Sequence, residues 1–250
     1  MERLAITGAG GLIGSILGGA LAGRFELTRI DKQAGDGVDA VVDSTGLEAL
    51  VDAFRGASLV VDLAADPSAD APWSSVRANN IPATLNALEA ARRTGVRRLV
   101  FASSNHVTGM YEQDEPYASI VKGAYAGLDP AAIRRITTAD PIRPDGPYGV
   151  GKALGEAAGR MYVELHGLSV ICLRIGTVNR EGRLRDVRQV ATLLTHGDLV
   201  QLVERSLRAP DSERFGIFYG ISGNTWRIWD IEDARSRLGY EPGDDALTLG

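Results

Sequence analysis

The chain has little sulfur, few aromatics and no surplus of positive charge, and each shortage excludes something. Its one cysteine, Cys172, rules out an internal disulfide, so a reducing compartment is expected. Cys172 lies in the apolar run LSVICLRIG, where a thiol behaves as a small buried hydrophobe, and no histidine is placed to make it a nucleophile. No run of about 18 apolar residues occurs, so no membrane-spanning helix is expected. The start, MERLAITGAG, has no basic segment leading into a long apolar stretch with a cleavage site. No secretory signal is expected, and the expected location is the cytoplasm. Lysine and arginine number 27 against 32 acidic residues, a net charge of −5, which gives no electrostatic case for nucleic acid or an anionic membrane as partner. With one cysteine and three histidines, no metal site is expected.

What remains is an ordinary globular composition, 44% hydrophobic and 24% charged, and 250 residues are enough to bury a core without staples. RLAITG, FELTRID, VDAVVDS, SLVVDLAA and RRLVFASS read as short apolar strands. GLIGSILGGALAG, GLEALVDAFRGA and NIPATLNALEAARRTGV read as the helices between them. Strand–helix alternation implies an α/β fold with a doubly wound parallel sheet of Rossmann type, covered by helices on both faces. Regularity fades from about Asn105 to Asp145, a stretch too long for an ordinary connection. It returns with the helix YGVGKALGEAAGRMYVELHG and the strand LSVICLRIG. The helices DVRQVATLL and GDLVQLVERSLRA, the strand FGIFYGIS and the helix WDIEDARSRLG follow.

TGAGGLIG sets Gly8, Gly11 and Gly14 at G-x-x-G-x-x-G spacing between the first strand and the first helix. Glycine permits the tight turn and lets a pyrophosphate approach the backbone, and the helix N-terminus offers free N–H groups. A glycine pattern alone is weak; its place between strand and helix is what marks dinucleotide binding. Asp31 ends the second strand, near where an acidic residue would bond the adenosine ribose. A carboxylate there repels a 2′-phosphate, which favours NAD over NADP. Asp31 could also simply end the strand, and Lys32 beside it would suit a 2′-phosphate.

Tyr148 and Lys152 stand four apart in RPDGPYGVGK, at the start of a helix. Alone this spacing is common. On one helix face, however, phenol and ammonium can meet at the same cofactor, and a nearby cation favours the phenolate. A glycine loop with a later Tyr-x-x-x-Lys resembles the extended short-chain dehydrogenase/reductase family, the NAD-dependent epimerase/dehydratases. The stretches FASSNHVTGMY, RPDGPYGVGKALGE, LRIGTVN, THGDLVQLVERSLRAP and FYGIS resemble the uronate dehydrogenases within it.

The resemblance implies roles. Tyr148 would take the substrate hydroxyl proton, Lys152 would hold the nicotinamide ribose, and Ser104 would orient the oxygen, with Ser103 a structural neighbour. Gly8, Gly11, Leu12, Ile13, Gly14, Asp31, Asp43, Ser44, Leu63, Ala64, Ala65, Asn80 and Ile175 would line the cofactor. Ser68, Ser104, Asn105, His106, Tyr148 and Thr177 would face the sugar, and Arg188 would pair with its carboxylate. Against this, His106 could cap a strand end, and Arg188 competes with Arg180, Arg183 and Arg185 in one loop. His196 reads as a helix cap, and Trp226 and Trp229 as packing residues.

Three departures from the family matter. Gly151 stands where serine is usual. The loop of about residues 111–143 is longer than the resemblance implies, and it is expected to form part of a substrate lid carrying Tyr117, Lys122, Tyr125, Arg134 and Arg135. The chain also stops soon after LGYEPGDDA. The expected organisation is an NAD-binding domain over 1–176 and a small substrate-binding part over 177–250. The expected activity is NAD-dependent oxidation of a uronic acid at C1 to the aldarolactone. Alternatives are oxidoreduction of a sugar phosphate, nucleoside or polyol with Arg134 and Arg135 meeting the extra group, epimerisation or dehydration of a sugar nucleotide, and non-catalytic NAD sensing. A homo-oligomer is expected, through the helices following Asn80 and Tyr148.

Overall fold

The computed structural model describes residues 1–249. Seven parallel strands form one sheet in the order β3-β2-β1-β4-β5-β6-β7. They are β1 (Arg3–Thr7), β2 (Glu26–Asp31), β3 (Ala40–Val41), β4 (Leu59–Asp62), β5 (Arg98–Ser104), β6 (Ser169–Ile175) and β7 (Phe215–Gly220). The helices are α1 (Leu12–Leu21), α2 (Leu47–Ala53), α3 (Trp73–Ser75), α4 (Ile81–Thr94), α5 (Tyr117–Val121), α6 (Pro147–His166), α7 (Gln189–Thr192) and α8 (His196–Arg208).

Successive strand residues point to opposite faces, and both faces are covered, so the strands are apolar throughout. Leu4, Ile6, Val61, Val100, Ile171 and Leu173 join one core with residues of α1 and α8. Ala5, Val60, Leu99, Phe101, Val170 and Cys172 join a second core with α2 and α4. Burial pushes the Cys172 thiol well up, as suits a packing residue. Gly95 and Gly167 end α4 and α6 in the left-handed conformation (φ 74° and 73°). Glycines also bring α6 close to the sheet: a Cβ on Gly155 would meet the Phe101 ring at 2.5 Å, and one on Gly159 would meet Val170 at 2.9 Å.

The region 177–250 supplies β7 and α8 to this same sheet and core, besides reaching the cavity with Thr177 and Arg188. Some expectations for single elements need correction. DVRQVATLL is helical only over Gln189–Thr192, because the side chain of Gln189 is tied to Asp186 and takes the Arg185 N–H. WDIEDARSRLG is helical over 232–238, ending in the wide turn Ala234–Leu238; the Ile136 N–H donates to Ile228 and the Asp230 N–H to Ile136, which holds the segment before that helix extended. The long loop is ordered and docked on the C-terminal region. Trp226 stacks on Tyr125 at 4.4 Å, Tyr117 donates to the Arg134 carbonyl at 2.9 Å, and Arg135 donates to the carbonyls of Pro130 and Thr225. Arg134 pairs with Asp140. None of Tyr117, Lys122, Tyr125, Arg134 and Arg135 lines the main cavity, so the lid expected of them is not found.

Candidate active site

Strand order reverses between β1 and β4, and a crevice opens beyond their C-terminal ends. The cavity there has a volume of about 770 Å³. At one end Gly8 turns the chain with φ +65°, and a Cβ on it would lie 3.0 Å from the Leu63 carbonyl carbon. A Cβ on Gly14 would lie 2.3 Å from the Gly8 oxygen, so α1 can seat against the turn only with glycine there. Gly11 precedes α1 without a side-chain cap, leaving the first N–H groups of the helix for a ligand. Leu12, Ile13, Leu63, Ala65 and Ile175 complete this part of the lining.

Asp31 and Lys32 both lie at the edge of the cavity. The Asp31 carboxylate takes N–H bonds from Gly10 (3.0 Å) and Gln33 (3.2 Å). Asp43, Ser44 and Ala64 line a smaller side cavity of about 70 Å³ that shares Gly8, Asp31, Lys32 and Ala65 with the main one. Thr45 donates to Asp43 through its N–H and hydroxyl, which holds that carboxyl below its usual range. A cradle that a Cβ would fill, an open helix end and a carboxylate at the second strand fit a dinucleotide. Asn80 is turned elsewhere. Its amide clamps the Asp66 backbone at 2.8 and 3.1 Å, while its neighbour Asn79 lines the side cavity. Ser68 is exposed and outside the lining, which its neighbours Pro67 and Ala69 provide.

At the other end stand Ser104, Asn105, His106, Tyr148, Lys152, Thr177 and Arg188. Ser104 ends β5 and accepts the His106 N–H at 3.2 Å. Ser103 points away to Glu156 at 2.6 Å, as befits a structural neighbour. Pro147 opens α6, and a Cβ on Gly149 would fall 2.3 Å from the His106 carbonyl oxygen, so glycine lets the helix start lie against the end of β5. Lys152 Nζ is 5.6 Å from the centre of the Tyr148 ring. Burial pushes the Tyr148 phenol up to about 12, opposed by the Ser104 hydroxyl. The expected lowering by Lys152 is not seen: burial and Asp66 raise the phenol, and Ser104 alone lowers it. Burial also brings Lys152 down to about 8, opposed by Asp62.

Three carboxylates of this site escaped the sequence reading. Asp62, fully buried at the end of β4, accepts the Thr7 hydroxyl at 2.6 Å and is pushed up by burial to about 6. Asp145 meets His106 Nδ1 at 2.7 Å, and the His106 ring stands edge-on to Tyr148 at 5.9 Å. Glu112 meets Arg188 through two bonds of 2.6 and 2.7 Å. Only Asp62 left a sign in the sequence, a charge closing the apolar run SLVV. Arg188 also donates to Thr177 Oγ1 at 3.3 Å, whereas Arg180, Arg183 and Arg185 do not line the cavity. His196 bonds the Asn179 carbonyl; the cap of α8 is Thr195.

The model of the NAD dependent epimerase/dehydratase family matches residues 4–197. The chain is 37% identical to an L-arabinose 1-dehydrogenase (NAD(P)(+)) of Haloferax volcanii, over 100% of this chain and 99% of the relative. It is 32% identical to a uronate dehydrogenase of Pseudomonas putida, over 99% of this chain and 86% of the relative. Among solved structures, a tyrosine-to-alanine variant of the uronate dehydrogenase of Agrobacterium tumefaciens, complexed with NAD, superposes with a TM-score of 0.81. It is 31% identical and is matched over 99% of this chain and 87% of that one.

Proposed function

The chain belongs to the NAD dependent epimerase/dehydratase family, and we propose that it oxidises the anomeric hydroxyl of a sugar to the lactone. It is an NAD-dependent dehydrogenase of the extended short-chain type. The observation that carries the proposal is the juxtaposition of Ser104, Tyr148 and Lys152 on one wall of a cavity whose other end is the glycine turn. The relatives are named for a neutral aldose, a sugar phosphate and uronates, which supports a substrate among the sugars. A uronic acid such as glucuronate or galacturonate is the member expected from the sequence.

Gly8, Gly11, Gly14, Asp31 and Lys152 would hold NAD, with Asp43 and Ser44 at its adenine end. Bound there, NAD supplies the acceptor for the hydride that leaves C1. Ser104 holds the anomeric oxygen, and Tyr148 takes its proton and returns it to water. Lys152 at about 8 keeps its proton at neutral pH and is the cation placed to stabilise the phenolate. Asn105, His106 and Thr177 are placed to bond the ring hydroxyls. The test is absorbance at the NADH band with a panel of aldoses, uronic acids and sugar phosphates. NADH formed in step with sugar consumed supports oxidation; a sugar altered with no NADH formed points to epimerisation.

Among the described residues no helix is long and apolar enough to cross a membrane. We place the protein in the cytoplasm as a homo-oligomer joined through α4 and α6, whose Leu85, Leu154, Met161 and Leu165 are exposed. Light scattering tests the assembly.

A further inference from the structure

The basic side chains at the sugar end of the cavity come with carboxylates of this chain already attached. Arg188 gives Nε–H and one Nη2–H to Glu112 at 2.6 and 2.7 Å. It gives an Nη1–H to Thr177 at 3.3 Å. With its amide turned so that both ends are satisfied, Asn105 donates to the Ile175 carbonyl and accepts from Arg188 Nη2 at 3.1 Å. Of the guanidinium's five N–H groups, these bonds leave one. His106 is held by Asp145 at 2.7 Å. Lys152 faces the buried Asp62, and Lys32 lies at the other end beside Asp31. Among the described residues no other lysine, arginine or histidine lines this cavity.

We propose that Glu112 is a specificity-determining residue: it stands at Arg188 in place of a substrate carboxylate and directs the site to sugars that carry none. The inference rests on the sugar-oxidation reading above. A guanidinium fork takes one carboxylate along its edge. A uronic acid must either displace Glu112, leaving that carboxylate buried without its partner, or sit beside it, carboxylate against carboxylate. A neutral sugar meets neither cost and can bond the remaining N–H and the outer oxygens of Glu112 and Asp145. Glu112 is not free to swing aside at will. It is 8% exposed and closes the turns of Asn105–Gln113, which Thr108 anchors by bonds to Trp229 Nε1 (3.1 Å) and the Tyr219 hydroxyl (3.0 Å). Specificity set by an unfavourable contact with the wrong ligand needs no extra contact with the right one.

The test uses sugars of one ring configuration. Galacturonate, galactose and L-arabinose differ only in carrying carboxylate, hydroxymethyl or hydrogen at C5; glucuronate, glucose and xylose form a second such set. In the wild type a neutral member of either set should exceed its uronic acid in kcat/KM by about tenfold or more. In Glu112→Gln, and in Glu112→Ala should the amide keep the same bonds, the ratio of acid to neutral sugar should rise by about tenfold or more. Because the ratio is taken within one protein sample, partial loss of fold does not imitate the effect. Calorimetric binding of the same sugars to the NADH-loaded wild type and variants reads the same ratio without turnover. A wild type that prefers the uronic acid, or a ratio unmoved by both variants, overturns the assignment of Glu112. Neutral-sugar binding that exceeds uronate binding with no oxidation of either keeps the assignment and defeats the reaction. Binding of neither class defeats both.

Discussion

Asp62 and Lys152 are buried opposite charges, each placed next to Phe101. Asp62 pairs in register with Phe101 on the neighbouring strand, and Lys152 Nζ lies 5.0 Å from the centre of the Phe101 ring. Each charge offsets part of the other's burial cost. The lysine falls from 10.5 to about 8, so the unfolded chain keeps a proton that the folded chain releases. Stability therefore rises between pH 8 and 10.5, and below pH 8 the full cost of about 3 kcal/mol applies. Asp62→Asn removes the partner and lowers Lys152 further. If Lys152 must be charged to hold NADH, the alkaline limb of NADH binding should move down by about one pH unit. Fluorescence titration of NADH from pH 6 to 9 checks this; an unmoved limb means that Asp62 does not act on Lys152.

Tyr148→Phe removes the proposed proton acceptor and leaves the ring in place. Turnover should fall by about 10²- to 10⁴-fold while NADH binding stays within about twofold. Steady-state rates beside NADH fluorescence separate this from a loss of fold. Unchanged turnover would sink the mechanism, because Tyr148 would then not be the group that takes the proton.

The fold was largely legible because its rules are local. Parallel strands buried on both faces leave apolar runs such as LAIT and LVFA, and the turn at Gly8 needs the residue type that tolerates φ +65°. The same holds for the site residues that lie at strand ends or open a helix: Ser104, Tyr148 and Thr177 line the cavity as expected. The partners were hidden because they come from afar. Glu112 and Arg188 are 76 positions apart, and His106 and Asp145 are 39 apart. The loop of 111–143 misled because a tyrosine facing a ligand and one stacked on Trp226 look alike in sequence. Asn80 misled because an amide can clamp backbone as readily as it lines a cavity.

Gly151, which departs from the family pattern, has a steric reason. A Cβ there would lie 2.8 Å from Val76 Cγ1, on the wide turn that leads into α4. Gly151→Ser should destabilise by about 1–3 kcal/mol, a fall in Tm of roughly 2–4 °C per kcal/mol. Adding Val76→Ala should recover much of it. Calorimetric melting of the single and double variants checks the coupling.

Asp31 sits at the mouth of both cavities with Lys32 beside it. Asp31→Ser removes the repulsion toward a 2′-phosphate and keeps an acceptor for the Gly10 N–H. The kcat/KM ratio of NAD to NADP should fall by about tenfold or more, about 1.4 kcal/mol. Lys32→Ala in that background should push the ratio back. If both substitutions leave the ratio alone, cofactor choice is made elsewhere.

Glu156 lies one turn beyond Lys152 on α6 and locks that helix to the sheet. Its carboxylate receives two bonds of 2.9 Å from Arg174 on β6 and one of 2.6 Å from Ser103 on β5. Burial alone would lower the Arg174 guanidinium, but Glu156 holds it above its ordinary value. Glu156→Gln keeps the shape and leaves a buried cation without a charge to meet it, which should cost about 3–5 kcal/mol in urea unfolding. Replacing both partners, Glu156→Leu with Arg174→Met, should cost far less, because no buried charge is stranded. The same anchor sets the place of Tyr148 and Lys152 on their helix. Among molecules of Glu156→Gln that remain folded, kcat should therefore fall further than KM rises. Equal stability of the single and double variants would show that the pair holds α6 by packing rather than by charge.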